Sequence, residues 1–470
     1  MALEPSRALA DRAGRAPLPP GPHLRWWGLE LLGPMQRDYL GFVCGLQRDW
    51  GDAAFTRIAL ERTCDVFAPE LVRAVLVDYA DAFVRWERGA AILSQGFGRS
   101  VLTSEGETWK RQRRLLAPEF APARLQGYAG LMVAAARRAL DRAAPASEAA
   151  QVEVEALMTA LAMDVVLRTL FGSTTDEDAA QAADAVQLLS RVAAREMLLP
   201  ATLPDWLPLP GKAAKRRALR ALTALIRRQI RQCRRAADCR DAPTHLMGTL
   251  SKLRDENGRA LLTDTELEQH CLVLLRAGHE TTAAALIWWC RLIAEHPDEA
   301  RRLRDEVDRV LSGRDPAVGD VPGLAWVAAS LQEAMRLYPP VAALMTRRAL
   351  REVQIGPWRI PRGALVRITP LITHRDARAF PDPEAFRPER FAPGAAPPPR
   401  GAFLPFSAGP RVCLGQHYAM LEMVLVATML LQRYELQVPP GEARPELELG
   451  VTVRPRGGLL LRFVRRRDPA

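Results

Sequence analysis

The sequence has no uninterrupted apolar stretch approaching the ~20 residues that a membrane-spanning helix needs. Its opening, MALEPSRALADRAGRAPLPPGP, also lacks the apolar core of a secretory signal, and Glu4 and Asp11 argue against an organellar transit peptide. Cysteine is sparse, odd in number and unpaired in spacing. Cys44, Cys64, Cys233, Cys239, Cys271, Cys290 and Cys413 contain no CxxC pair, which excludes a zinc ribbon or a disulfide scaffold and fits a reducing compartment. Lysine is scarcer: Lys110, Lys212, Lys215 and Lys252 are all there are. No basic stripe interleaved with aromatics is present, so nucleic acid is not an expected partner. Internal repeats, low-complexity runs and any linker long enough to separate a pair of domains are absent too. These absences leave the expectation of a cytoplasmic protein built as one domain over residues 1–470, poorly ordered at 1–24.

What is there begins with arginine. Lys and Arg outnumber Asp and Glu by 65 to 54, a net +11. The planar guanidinium pairs bidentately with carboxylates, whether on a cofactor, a substrate or an acidic partner protein. Residues 52–68 read as strand, turn, strand, and residues 121–311 as helices interrupted by the proline-loaded break at 203–211. Thr263 and Glu266 form a capping box, and the helical pattern then runs to His296, with Pro297 opening the next helix. That is about 33 residues, or ~50 Å. From Cys271 to Ile293 this helix is apolar nearly all round, as a buried helix must be. After Pro339, VQIGPWRIPRGALVRI reads as strand, turn, strand, residues 418–433 as a helix, and two short strands close the chain around 455–458. The fold class is mainly α with small β-sheets, and a chain this long can enclose a buried cofactor.

Three constellations carry chemistry. In Phe406-Ser-Ala-Gly-Pro-Arg411-Val-Cys413-Leu-Gly415 a lone cysteine sits in a glycine-punctuated loop just before a helix, whose N-terminus favours the thiolate. The bland alternative is a buried structural cysteine. Glu333 and Arg336, three apart, share a helix face, as a surface ion pair also would. Within the long helix, Ala277-Gly-His279-Glu280-Thr281-Thr282 places an acid and hydroxyls where unpaired polar groups are costly. A threonine there can simply bond back to the preceding turn, or acid and hydroxyl can relay protons.

The cysteine loop resembles the heme-binding signature of the cytochrome P450 family, FxxGxRxCxG, with every fixed position filled. From about Trp109 onward the motifs follow that family's order. The resemblance implies a single helical body around a buried heme b, with Cys413 as the iron ligand; a thiolate there pushes electron density toward oxygen and favours O–O cleavage. It implies oxygen activation at Thr281, proton relay at Glu280, and small residues Ala277 and Gly278 where the helix passes the heme. His279 reads as structural. Glu333, Arg336 and Arg390 are implied as a buried network, and Trp109, Arg113, Arg347 and Arg411 as partners of the heme propionates, with Phe406 and Gly415 in the signature. Arg348 rivals Arg347, and His374 is a further candidate. Pocket positions by resemblance are Ala277, Val341, Ala342, Ala343, Leu344, Val451 and Thr452, with residues 83–103 and 198–211 as lid. Arg276 departs from the family's apolar habit: it is either paired internally or a cation for a carboxylate-bearing substrate. The implied activity is monooxygenation of a small lipophilic molecule by a monomer, with electrons from a ferredoxin or flavodoxin and its reductase. Peroxide-driven or coupling chemistry and a non-catalytic heme protein are the alternatives; the intact Glu280–Thr281 pair argues against both.

Overall fold

The computed structural model describes residues 16–143, 149–172, 174–199, 204–207, 210–237, 245–343 and 345–466. Its contacts divide the chain into two compact units, neither of them one continuous stretch.

The first unit comprises residues 1–87, 343–383 and 398–412. Its centre is a five-stranded sheet of β1 (Ala53–Ile58), β2 (Glu61–Val66), β3 (Phe83–Arg85), β4 (Met345–Ala349) and β5 (Leu365–Ile368), ordered β1-β2-β5-β4-β3. Only the β2–β5 pair is parallel. Apolar residues of β2, β4 and β5, among them Val66, Val366 and Ile368, pack in one buried cluster. The expected strands of residues 353–368 split: Val353–Ile355 pairs with Trp358–Ile360 as a separate hairpin, while β5 joins the large sheet. Residues 1–15 lie outside the described residues, but beyond them the carbonyls of Pro17 and Pro20 accept from Arg359 N and Phe55 N at 2.8 and 2.7 Å. Those two bonds tie residues 17–20 to the first unit.

The second unit holds residues 88–342, 384–397 and 413–470. The helices that matter for the site are α1 (Glu87–Phe97), α2 (Gly106–Leu116), α3 (Val154–Phe171), α4 (Asp176–Leu198), α5 (Pro210–Ala237), α6 (Asp264–Glu295), α7 (Ala325–Leu337) and α8 (Gln416–Arg433). The lid expected at residues 83–103 is therefore mostly β3 and α1, and the second lid segment is described only in part. Helix α6 starts as the sequence dictates: the Thr263 hydroxyl accepts from Glu266 N, and Glu266 accepts from Thr263 N at 2.9 Å. Pro297 opens the following helix. The two expected C-terminal strands exist but do not pair together. Strand β6 (Val453–Pro455) pairs with Leu447–Leu449, and Leu460–Arg465 pairs with Ala149–Glu153 and Tyr434–Gln437.

Between Cys271 and Ile293 helix α6 is buried, with one exception. Leu274, Ala277, Gly278 and Thr281 are partly or fully open. Residues spaced three and four apart lie on one helix face, so a single stripe of small side chains borders open space in the middle of a core helix. Gly278 has a second reason to be small, since a Cβ there would meet Val166 of α3 at 3.2 Å.

Candidate active site

The loop before Cys413 is held by its glycine. Gly409 has φ +70°, and a Cβ there would lie 1.9 Å from the Leu76 carbonyl oxygen. Its freedom thus seats the loop on residue 76. Gly415 serves the sulfur: its backbone N–H donates to Cys413. The Cys413 side chain is open to solvent on one side although protein surrounds the rest of it. Burial pushes its thiol up, while the Gly415 N–H and the Arg113 charge act against that rise. The other described thiols, apart from exposed Cys44, are buried, and burial pushes each up without any such opposing donor. Among the described thiols, Cys413 thus joins an opening to solvent with a backbone N–H at its sulfur. On α2, Arg113 lies over the Trp109 ring, 5.9 Å from its centroid.

In the middle of α6, Thr281 Oγ1 donates to the Ala277 carbonyl at 2.7 Å. This is the back-bonded geometry, and it leaves the hydroxyl oxygen's lone pairs toward the open stripe. Glu280 is buried; its Oε2 accepts from the Ser190 hydroxyl of α4, and its Oε1 from Thr452 Oγ1 at 3.0 Å. Thr452, expected on the pocket wall, is instead 2% exposed and turned to Glu280. Sequence reasoning missed Ser190. It is the one hydroxyl among the buried positions of α4, otherwise apolar up to Glu196, and that break in the stripe was the available signal. Arg276 is 2% exposed and its guanidinium sits on Gly96 of α1, where a Cβ would lie 2.0 Å from Nη1. Burial lowers its pKa to about 10 and the Glu280 charge opposes that. His279 is fully buried, with neither ring nitrogen hydrogen-bonded.

Glu333, Arg336 and Arg390 meet. Arg336 donates from Nε and Nη2 to the Glu333 carboxylate at 2.7 and 2.8 Å, and from Nη2 to the Ala385 carbonyl at 3.0 Å. Glu333 also accepts from Arg387 N at 2.8 Å and from Arg390 Nε at 3.4 Å. Glu333 and Arg336 are wholly buried. The network ties α7 to residues 385–390.

In the first unit, β4 separates its two arginines. Arg348 donates to Glu61 at 2.6 Å and to Glu87 at 3.0 Å, whereas Arg347 is buried on the opposite face with a bond to the Thr346 carbonyl at 3.2 Å. His374 Nε2 accepts from Leu404 N at 2.7 Å, which puts its proton on Nδ1. Phe406 and Arg411 are half-buried. Of the pocket candidates, Val341 and Val451 are partly open, Ala342 and Ala343 are closed off, and Leu344 lies outside the described residues.

A lone partly open thiol under a backbone N–H, with a guanidinium in electrostatic reach, and a helix that leaves a small-residue stripe open beside a hydroxyl fit a heme–thiolate oxygenase. Comparison with known proteins gives the same class and narrows it. The cytochrome P450 family model matches residues 17–462. The chain is 34% identical to cyclooctatin synthase of Streptomyces melanosporofaciens over 91% of its own length and 93% of the relative. It is 30% identical to the pentalenene oxygenase of Streptomyces avermitilis, covering 90% and 92% of the two chains. Among solved structures it superposes on the retinoic acid bound cyanobacterial CYP120A1 with a TM-score of 0.82 at 27% identity, covering 96% of this chain and all of that one. The chain belongs to the cytochrome P450 family. It is a heme b-dependent monooxygenase that inserts one oxygen atom of dioxygen into an apolar organic molecule, using electrons from redox partners. Among the described residues no helix is long and apolar enough to cross a membrane.

Proposed function

We propose that the substrate is an uncharged terpenoid, and that Arg276 is an internal cation and not a carboxylate anchor. The observation that carries this is the burial of Arg276 against Gly96 within the field of Glu280. A guanidinium closed off from solvent, within the field of an interior carboxylate, is poorly placed to hold a second one. The relatives named for cyclooctatin, cyclooctat-9-en-7-ol and pentalenene support the terpenoid class. The retinoic acid in the superposed structure favours a second reading, an acidic isoprenoid held by Arg276.

When bound, heme supplies the reductive activation of dioxygen and the transfer of one oxygen atom. Cys413 would ligate the iron, with the Gly415 N–H and the α8 N-terminus favouring its thiolate. Trp109, Arg113, Arg347 and Arg411 would hold the propionates, with His374 near them in the family's pattern. Ala277 would leave the heme face clear. Thr281, its own proton committed to the Ala277 carbonyl, would accept a hydrogen bond on the open side, and Glu280 would pass protons toward it. A ferredoxin or flavodoxin with its reductase would supply electrons, and the protein would work as a cytoplasmic monomer.

Titration of the ferric protein with matched isoprenoid acids, methyl esters and alcohols, following the heme absorption band, tests the substrate class. Esters and alcohols are expected to shift the band at least as strongly as the acids, in the parent and in Arg276→Ala alike. A response to acids alone, erased by Arg276→Ala, would overturn the proposal in favour of the acidic isoprenoid.

A further inference from the structure

The relay acid does not stand alone. Each oxygen of the Glu280 carboxylate accepts one hydroxyl proton, Oε2 from Ser190 and Oε1 from Thr452. The two donors come from elements far apart in the sequence, α4 and the turn that leads into β6. Ser190 is 3% exposed, Thr452 2% and Glu280 7%, so all three groups are closed off from bulk solvent. Among the described residues these two hydroxyls are the side-chain hydrogen-bond donors that Glu280 has. Arg276, one turn earlier on α6, adds a long-range charge.

Any buried carboxylate needs donors, and on that ground alone the arrangement is structural. Its placement argues for more. Glu280 is next to Thr281, whose hydroxyl borders the open stripe, and adjacent helical residues point about 100° apart. With both oxygens held by Ser190 and Thr452, the carboxylate has a fixed orientation relative to the Thr281 hydroxyl. Proton transfer is steeply sensitive to such geometry. We propose that Ser190 and Thr452 are positioning residues of the oxygen-activation machinery: they clamp the Glu280 carboxylate from two sides and set its orientation for proton transfer toward Thr281. This rests on the relay role given to Glu280 above.

The test compares the parent holoenzyme with Ser190→Ala/Thr452→Val, with the hydroxyl-retaining Ser190→Thr/Thr452→Ser, and with Glu280→Gln. Two readouts are taken. Infrared spectra of protein carrying isotope-labelled glutamate give the carboxylate stretch of Glu280, assigned by its loss in Glu280→Gln. Oxygen uptake is driven by a surrogate ferredoxin and reductase with retinol as the probe compound, and the hydrogen peroxide released per oxygen consumed is measured. In Ser190→Ala/Thr452→Val the stretch is expected to move and the peroxide fraction to rise severalfold, matching Glu280→Gln. The hydroxyl-retaining variant is expected to stay near the parent in both. An unmoved stretch with a parental peroxide fraction in the hydroxyl-free variant overturns the proposal. So does equal damage in the hydroxyl-retaining variant, which would assign the effect to packing. If Glu280→Gln itself releases no more peroxide than the parent, the relay reading falls, and the clamp falls with it. If Glu280→Gln raises peroxide release and the hydroxyl-free variant does not, only the clamp fails.

Discussion

Neighbouring arginines on β4 show how one backbone period assigns two different tasks. Successive strand residues point to opposite faces, so Arg347 and Arg348 cannot share a site. Arg348 reaches Glu61, Glu87 and the Gly363 carbonyl, and the two carboxylates raise its pKa further. Those bonds join β4 to its own unit. Arg348→Ala is therefore expected to lower the melting temperature, at a cost of about 1–2 kcal/mol given the exposure of Glu87, with heme content per folded protein unchanged. Arg347→Ala is expected to do the reverse: near-parental melting of the protein moiety but a severalfold loss of heme on dilution. Heme-to-protein absorbance ratios and thermal unfolding on both variants check this, and a heme loss confined to Arg348→Ala would reverse the assignment. Spacing alone left the two arginines as rivals, because which face of a strand looks inward is decided by its partners. Here those are β3 and β5, and neither is near in sequence.

At the scale of elements, the network between α7 and residues 385–390 is the costliest to break. Glu333 and Arg336 are fully buried, and removing one member takes from the other charge its two-pronged ionic partner, at about 3–5 kcal/mol. Glu333→Ala would take the carboxylate from Arg336 and free the Arg387 N–H, and Arg336→Ala would leave Glu333 with Arg387 N and the longer Arg390 contact. Both variants are expected to be recovered without heme; a folded, heme-replete protein from either would contradict this. The helix-face pairing of Glu333 with Arg336 was legible in the sequence because i and i+3 meet in any helix. The long helix α6 was legible to within a residue at each end, because its capping box and the following proline are local signals. What stayed hidden depends on contacts between distant segments: the Ala385 carbonyl under Arg336, Ser190 and Thr452 on Glu280, and the sorting of the C-terminal strands into different sheets.

Across the whole molecule, buried titratable groups set how stability depends on pH, and they pull in opposite directions. Burial pushes the imidazoles of His279 and His270 down from 6.5 to about 3 and about 4, with the Arg454 and Arg111 charges adding to the effect and Glu266 opposing it at His270. Neither ring has a hydrogen-bond partner. Below 6.5 the unfolded chain takes up a proton at each histidine while the folded protein does not, so both favour unfolding as the pH falls. Glu422 on α8 has the opposite sign. It is wholly buried without a hydrogen bond to either oxygen, and burial raises its carboxyl well above 4.5. Above 4.5 the folded protein keeps that proton and the unfolded chain has lost it, so Glu422 favours unfolding as the pH rises. Between about 4.5 and 6.5 the histidines lose stability on acidification, His245, also pushed down by burial, acting in the same sense, and Glu422 opposes them. Above 6.5 the histidines are silent and Glu422 tilts stability downward with rising pH, joined toward pH 9 by the buried thiols. Stability is thus expected to peak near pH 6.5. Urea unfolding at a series of pH values checks this, with His279→Leu expected to flatten the acid side and Glu422→Gln the alkaline side. A parent whose stability keeps rising well above pH 6.5 would mean that Glu422 is ionised in the folded protein.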